Sequence, residues 1–598
     1  MSFLGEIKRR KVFQVAVVYA VVAWVLVQII DVVNDPLSLP PWFDTVAILL
    51  LLLGFPLAMI LTWAFDITPA GVVRTPASDL VTEPDVPVNA PHQPIQSPEQ
   101  VSPSPPAGSE ELPHRMLRNS VAVLPLENLS PNPDDAYFAA GIHEEILNYL
   151  TKIKDLSVIA RTSVKKYANT DKTIAEIAGE LGVGTVMEGS VRYAGERVRV
   201  TAQLIDAVTE DHLWSEIYER GLADVFAIQA DIAAKIAEAL EAELSVVEKA
   251  SIEALPSTSS SEAHALYLRS QALFGQDDTA LAVTVPPSIR ASIKSNLDQA
   301  IEFDPEFATL YALKALISAA SRIYDPIKDK DWLKQSAELD ESVRVNADKA
   351  LTLNANLGLP HLAMALNHQF NWRGAQARGA YERALELRPN DSNVLGWYAT
   401  LKWFTEEFDD AIHLAEKAVA LDPGNAYTYA FLALILHAAG DYRASADTFE
   451  KFSTLHPGSS LPYLLRGRPD LALGNEAHAL EGLRLADQLI PDEAAPAIHI
   501  EIAYAYGRLG QREDAKKVIN KVEAMIGDRF VDPIVQVWAN LAIGDHGQAL
   551  QWLKQSVEKP EYRQEVFVRT FIKENAWSDP VLDQPEFVAL RDRLRFRE

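Results

Sequence analysis

Cysteine is absent from all 598 residues. This excludes disulfides, thiolate nucleophiles and cysteine metal sites, and leaves either redox compartment open. Positive charge is scarce: 55 Lys and Arg stand against 82 Asp and Glu, a formal net charge of −27. Such a surface repels phosphate, so no nucleic-acid partner is expected. No glycine-rich phosphate loop, HExxH or GxSxG pattern occurs, so no catalytic residue, cofactor or metal site is expected and the chain reads as a non-enzyme. His143, Glu144 and Glu145 lack a second histidine four residues on and read as solvent-facing helical charge.

Lys and Arg are also missing between Lys11 and Arg74. Within that gap, VFQVAVVYAVVAWVLVQII (Val12–Ile30) and TVAILLLLLGFPLAMILTWAF (Thr45–Phe65) carry no charge at all. Each is long enough to cross about 30 Å of hydrocarbon as a helix, so residues 1–70 are expected to form a transmembrane hairpin that uses the lipid bilayer as a partner. Lys8, Arg9, Arg10 and Lys11 precede the first span; the positive-inside bias then puts the amino terminus and everything after Phe65 in the cytoplasm. Residues 71–117 are rich in Pro, Ser and acids and poor in aromatics, the composition of a disordered linker.

Residues 118–250 alternate in type. SVAVLPL and LSVIAR read as strands, DAYFAAGIHEEILNYLTKI and TIAEIAGELG as helices, and GTVMEGSVRYAGERVRVTAQLIDAVTEDHLWSEIYERG as three strands before a helix from about Leu222 to Glu248. The loop ENLSPNPDD has neither glycine nor base, so Asp134 and Asp135 suit a helix cap better than a phosphate site. Arg161, Thr162 and Ser163 follow a strand, where a cap or contact with a polar ligand is expected. VAVLPLENLSPNPDDAYFAAGIHEEILNYL, VIARTSVKKY, IAGELGVGTVMEGSVRYAGERVRVTAQLIDAVTEDHLWSEIYER and VFAIQADIA together resemble the TolB amino-terminal-like domain, of the FlgO and CsgG type. The resemblance covers about Arg118 to Glu243 and implies an α/β recognition or assembly module rather than a catalyst.

Residues 260–598 repeat. Pro389, Pro423, Pro457 and Pro491 recur at one period of 34 residues, as do Gly440 with Gly474 and Gly510 with Gly544, the last pair displaced by two residues. AYERALELRPNDSNVLGWYATLKWFTEEFDDAIHLAEKAVALDPGNAYTYAFLALILHAAGDYRASADTFEKF resembles tetratricopeptide repeats. Ala377, Ala411 and Ala479 stand where a second helix meets the first, Tyr381 and Phe449 fill an aromatic position, and Ala384 and Ala418 allow close approach. About seven units are expected, stacked into an all-α superhelix whose groove takes proteins or peptides. Candidate groove residues on first helices are His361, His368, Trp397, Lys402, Tyr429 and His437, with Lys402 expected to take an acidic or carboxylate-ended peptide.

The fold class expected is therefore multidomain: a transmembrane helical hairpin, a small α/β domain and a tetratricopeptide superhelix. The expected function is an inner-membrane-anchored adaptor that recruits protein partners, with homo-oligomerisation left open. Two alternatives remain: a regulatory relative of nucleotide cyclases, and an envelope assembly factor with a periplasmic body.

Overall fold

The structure, a computed structural model, describes Phe65–Thr68, Gly71–Arg74 and residues 119–594, apart from short stretches such as 131–135, 275–286, 324–331 and 560–565. The expected spans up to residue 64, most of the linker, and Asp134 and Asp135 lie outside the described residues. Phe65, expected to end the second span, instead begins strand β1 (Phe65–Thr68), which pairs antiparallel with β2 (Gly71–Arg74). Among the described residues no helix is long and apolar enough to cross a membrane. Strands β1 and β2 belong to one unit of the chain, and the described residues from 119 onward, a mixed sheet and a long helical array, to another.

The α/β part is a sheet of β3 (Ser120–Val123), β4 (Glu127–Asn128), β5 (Ser157–Val158), β6 (Thr185–Ala194), β7 (Arg197–Asp206) and β8 (His212–Gly221). Its order is β5-β3-β6-β7-β8, with β4 beside β6. β3 runs parallel to β5 and β6, whereas β6, β7 and β8 form an antiparallel meander. The period-2 alternation of RVRVTAQLID has its physical counterpart in Val198, Val200, Ala202 and Leu204, all fully buried on one face. That face is covered by α1 (Ala136–Leu150) and α4 (Val225–Ala239), and the opposite face by α2 (Arg161–Val164) and α3 (Ile174–Leu181). Helix α3 starts on a capping box between Thr173 and Glu176. Helix α4 stops nine residues short of the expected Glu248, next to Glu241 in the left-handed region at φ 53°. The loop after β3 serves the fold: the Leu129 amide donates to the Val191 carbonyl at 2.8 Å, extending the β4 pairing.

Eight consecutive helix pairs follow among the described residues: α5 (Ser261–Phe274) with α6 (Pro287–Phe303), α7 (Ala308–Ile323) with α8 (Trp332–Leu353), α9 (Gly358–Phe370) with α10 (Gly374–Leu387), α11 (Ser392–Phe404) with α12 (Phe408–Leu421), α13 (Ala426–Ala438) with α14 (Tyr442–Leu455), α15 (Leu461–Ala472) with α16 (Glu476–Leu489), α17 (Pro496–Arg508) with α18 (Arg512–Ile526), and α19 (Pro533–Ile543) with α20 (His546–Glu558). This is a tetratricopeptide-type superhelix. Ala377, Ala384, Ala411, Ala418 and Ala479 are buried between the helices of the pairs, with Tyr381 and Phe449 at zero exposure. Pro389, Pro423, Pro457 and Pro491 each lie two residues past a second helix, where a ring without an N–H ends it. The turn inside each of the last six pairs has a left-handed residue: Gly440, Gly474, Gly510 and Gly544 have φ between 74° and 89°, and one and two periods before Gly440 Glu406 and Trp372 adopt φ 66° and 58° in the same place.

The two parts share one apolar core, in which Tyr267 and Leu268 of α5 and Phe307 join the residues of α1 and the sheet. Polar bonds reinforce the joint. The buried Glu145 carboxylate accepts from Tyr267 Oη at 2.8 Å and Gln271 Nε2 at 2.7 Å. Within the α/β domain itself, His143 Nε2 donates from α1 to the Val123 carbonyl of β3 at 2.8 Å, and burial pushes its pKa down to about 4. His143 and Glu145 are therefore interior groups, a correction to the solvent-facing reading. The two proline turns after α10 and α12 also grip the α/β domain. Asn390 Nδ2 donates to the Ile153 and Leu156 carbonyls at 2.7 and 2.5 Å, and the Ala160 amide donates to the Leu421 carbonyl at 2.8 Å. Thr162 and Ser163 donate to the buried Asp422 carboxylate, the latter at 2.6 Å. Their expected role as a cap or ligand contact gives way to a domain contact with a repeat turn.

Replacing Asp422 with Ala strands these buried hydroxyls, which costs about 1–3 kcal/mol. Thermal unfolding of Asp422→Ala is expected to show that loss together with faster amide exchange on both sides of the joint; an unchanged midpoint would contradict the coupling.

Candidate interaction groove

Successive first helices pack on one another and share one face of the array, called its inner face here, and their apolar patterning is unusually aromatic. Helix α11, SNVLGWYATLKWF, buries every residue but Asn393, so it has neighbours on all sides. Its start is fixed by Asp391, whose side chain accepts from the Asn393 and Val394 amides. The neighbour on the inner face comes from the carboxy-terminal segment: α21 (Val566–Lys573), a turn through Asp579, a short 3₁₀ helix Pro580–Asp583 and α22 (Pro585–Arg591).

Phe567 and Phe571, one helical turn apart, project from α21. Phe567 meets Phe404 edge-on at 5.5 Å and stacks with Phe431 at 6.4 Å; Phe571 lies 5.9 Å from Trp403 and stacks with Trp538 at 6.2 Å. Burying one phenylalanine side chain contributes about 1.5–3 kcal/mol, and edge or offset ring pairs add to it. Polar bonds fix the register. Trp403 Nε1 donates to Glu574 at 2.6 Å, Lys573 pairs with Glu406, Trp577 Nε1 donates to Glu501 at 3.2 Å, and Tyr504 Oη donates to Asp579 at 2.7 Å. Arg508 reaches the Trp577 and Ser578 carbonyls. The segment thus touches α11, α13, α15, α17 and α19 in turn.

At its centre lies Arg468, fully buried on α15. Its guanidinium bonds Glu501 through Nε at 3.0 Å and again through Nη2, and sits 3.7 Å above the Phe571 ring. A buried cation is tolerable only with such partners, and removing one partner of a buried pair costs about 3–5 kcal/mol. Gly467 beside it makes room for the indole of Trp577: a Cβ there would stand 3.0 Å from the ring.

The residues singled out from sequence meet different fates. Trp397 is buried between Phe370 and Phe431, at 5.9 and 5.2 Å. Lys402, expected as a groove cation for a carboxylate, is 8% exposed and already bonded to Glu407 at 2.5 Å and Asp410 at 3.0 Å; Glu407 is itself held low by Arg378. Its charge is spent inside the fold, which corrects the expectation of a free cation. His437 is buried with its ring 5.1 Å from that of Tyr442, and burial pushes its pKa down to about 4. His361, His368 and Tyr429 are half-buried, the two histidines with lowered pKa through burial. Trp397 also lines a cavity of about 110 Å³, with Leu316, Leu362, Leu366, Arg161 and Glu144, where the array meets the α/β domain. Sequence reading misses the groove segment itself. Its signal is the amphipathic stretch VFVRTFIKENAW (residues 566–577), which carries aromatics on one side but lies outside the repeat period.

Among the described residues no group of three or more His, Asp or Glu side chains could hold a metal ion. Burial pushes the Glu574 carboxyl up from 4.5 to about 8; the Trp403 N–H, Lys573 and Arg468 act against that rise and Glu406 adds to it. An acid whose docked pKa is raised contributes docking stability that is full below its free value and is lost as pH rises through the docked value. Amide exchange of Val566–Lys573, corrected for its intrinsic pH dependence, is therefore expected to quicken between about pH 4.5 and 8 in the native chain and to flatten in Glu574→Gln. Equal pH dependence in both would contradict the assignment.

No family model matches the chain. Over 210 residues, 35% of its length, it is 37% identical to a protein of Rhizobium meliloti (strain 1021) named "Putative adenylate cyclase 3", of which the match covers 34%. The chain thus spans about a third of the length of this curated relative. Among solved structures it is similar to a tetratricopeptide repeat protein of Parabacteroides merdae (15% identity, 48% of this chain and all of that one, TM-score 0.33). It is also similar to YrrB, described as a tetratricopeptide protein with an unusual peptide-binding site (19% identity, 33% of this chain and 93% of that one, TM-score 0.25), and to pilF of Pseudomonas aeruginosa (16% identity, 38% and 94%, TM-score 0.29).

Proposed function

We propose that the chain is a membrane-anchored scaffold that recruits a protein partner through the inner face of its helical array, with the α/β domain bracing the amino-terminal end of that array. The observation that carries this reading is the groove itself. The first helices present aromatic rings, a buried cation and directed polar groups, and they already hold one amphipathic helix. The anchor rests on the uncharged runs before residue 66 and on the positive cluster at Lys8–Lys11, which favour a cytoplasmic body. A second reading, a regulator allied to nucleotide cyclases, is favoured by the identity with the Rhizobium meliloti protein.

The test is affinity capture from solubilised membranes with the native chain and with Gly467→Leu/Arg508→Glu, which fills and reverses the charge of the groove. The scaffold reading expects the double variant to lose partners while its helical circular dichroism is unchanged. The same partners on both forms would contradict it, and cyclic-nucleotide formation from ATP by the purified chain would favour the second reading. Removing residues 1–75 is expected to move the protein to the soluble fraction; persistent tight membrane association would sink the hairpin anchor.

A further inference from the structure

The groove is occupied by the chain's own end, and the occupant defines the chemistry of what else fits. The directed polar groups of the inner face find their partners in residues 573–579: the Trp403 N–H in Glu574, Glu406 in Lys573, the Tyr504 hydroxyl in Asp579, and Arg508 in the Trp577 and Ser578 carbonyls. Phe567 and Phe571 cover Trp403, Phe404, Phe431 and Trp538, and Trp577 fills the space over Gly467. Emptying the groove would strand these groups together with one face of the Arg468 guanidinium, so an empty groove is the unfavourable state. A replacement must offer the same groups.

We propose that Val566–Asp579 is an internal ligand of the array, standing in for the partner segment. The partner is accordingly an amphipathic protein helix with two aromatic residues four apart, an acidic residue on its next turn, and a tryptophan followed by an acid where that helix ends. Binding is then an exchange: the incoming helix displaces the resident one and inherits its contacts. The face that is used matters here. A helix that merely capped the array would sit on the end of α19 and α20, whereas this one runs along first helices back to α11, across the surface by which such arrays take peptides. The contacts also mix charge with aromatic rings. Glu574 is held with its pKa raised, and Lys573 pairs with an exposed Glu406, so part of the apolar gain is offset and the resident helix is held less firmly than an aliphatic core helix would be.

This inference rests on the recruiting function proposed above, and its test separates the two. The probe is a fluorescent synthetic peptide of residues 566–583, titrated against the native full chain, against Phe567→Asp/Phe571→Asp, in which the resident helix is released, and against the released chain carrying Gly467→Leu as well. The released chain is expected to bind the peptide at least about tenfold more tightly than the native chain, and Gly467→Leu to remove that gain. In the native chain, excess peptide is expected to speed amide exchange at residues 566–573 without affecting α1, a readout that does not depend on any variant folding. Equal affinity for native and released chains, or exchange at 566–573 that excess peptide leaves unchanged, would overturn the internal-ligand proposal. If array-dependent capture from membranes persists in that case, the recruiting function stands without it. Dimers of the native chain in which the segment of one copy crosslinks to the groove of another would also overturn it, making the occupant a second copy.

Discussion

A stack of helix pairs leaves the inner side of every first helix without a neighbour, and in this chain that side carries Trp403, Phe404, Phe431, Arg468 and Trp538. Rings and a guanidinium of this size cannot be left to water without forfeiting most of the apolar gain that holds the stack together. The chain meets the constraint by laying Phe567, Phe571 and Trp577 across them. Phe567 reaches back to Trp403 and Phe404 of α11, and the glycine at 467 leaves room for the indole of Trp577.

The other end of the array is settled by a different balance. There the proline turns after α10 and α12 present Asn390 and Asp422 to the strand and helix ends of the α/β domain, and α5 packs on α1 over a shared core. Buried carboxylates at a domain joint cost desolvation, which Tyr267 and Gln271 offset at Glu145, and Thr162, Ser163 and Asn425 offset at Asp422. The α/β domain is thereby an abutment of the superhelix.

Much of the fold is legible in the sequence because its signals are periodic. The prolines at 389, 423, 457 and 491, the alanines where helices cross, and the alternation along RVRVTAQLID each report a local packing rule that the structure obeys. The two-residue displacement at Gly510 is visible for the same reason. What escapes the sequence is how turns and elements fold back on one another. Lys402 reads as a groove cation until Glu407 and Asp410 are brought beside it across a turn. His143 and Glu145 read as surface charge because nothing in the helix AYFAAGIHEEILNYL says that β3 will take the one and α5 the other. The groove segment has a readable amphipathic pattern, but its destination, Trp403 and Glu406 far back along the chain, depends on superhelical curvature that no local pattern encodes.

The central claim is that the array closes on its own carboxy-terminal helix. Lys573 and Glu406 form an ion pair at the accessible rim of that contact, with Glu406 exposed. Zero-length carbodiimide crosslinking of the native monomer, followed by peptide mass spectrometry, tests the claim directly. The account predicts an intrachain Lys573–Glu406 amide that disappears in Phe567→Asp/Phe571→Asp; the absence of that link in the native monomer, or its persistence in the variant, would contradict it.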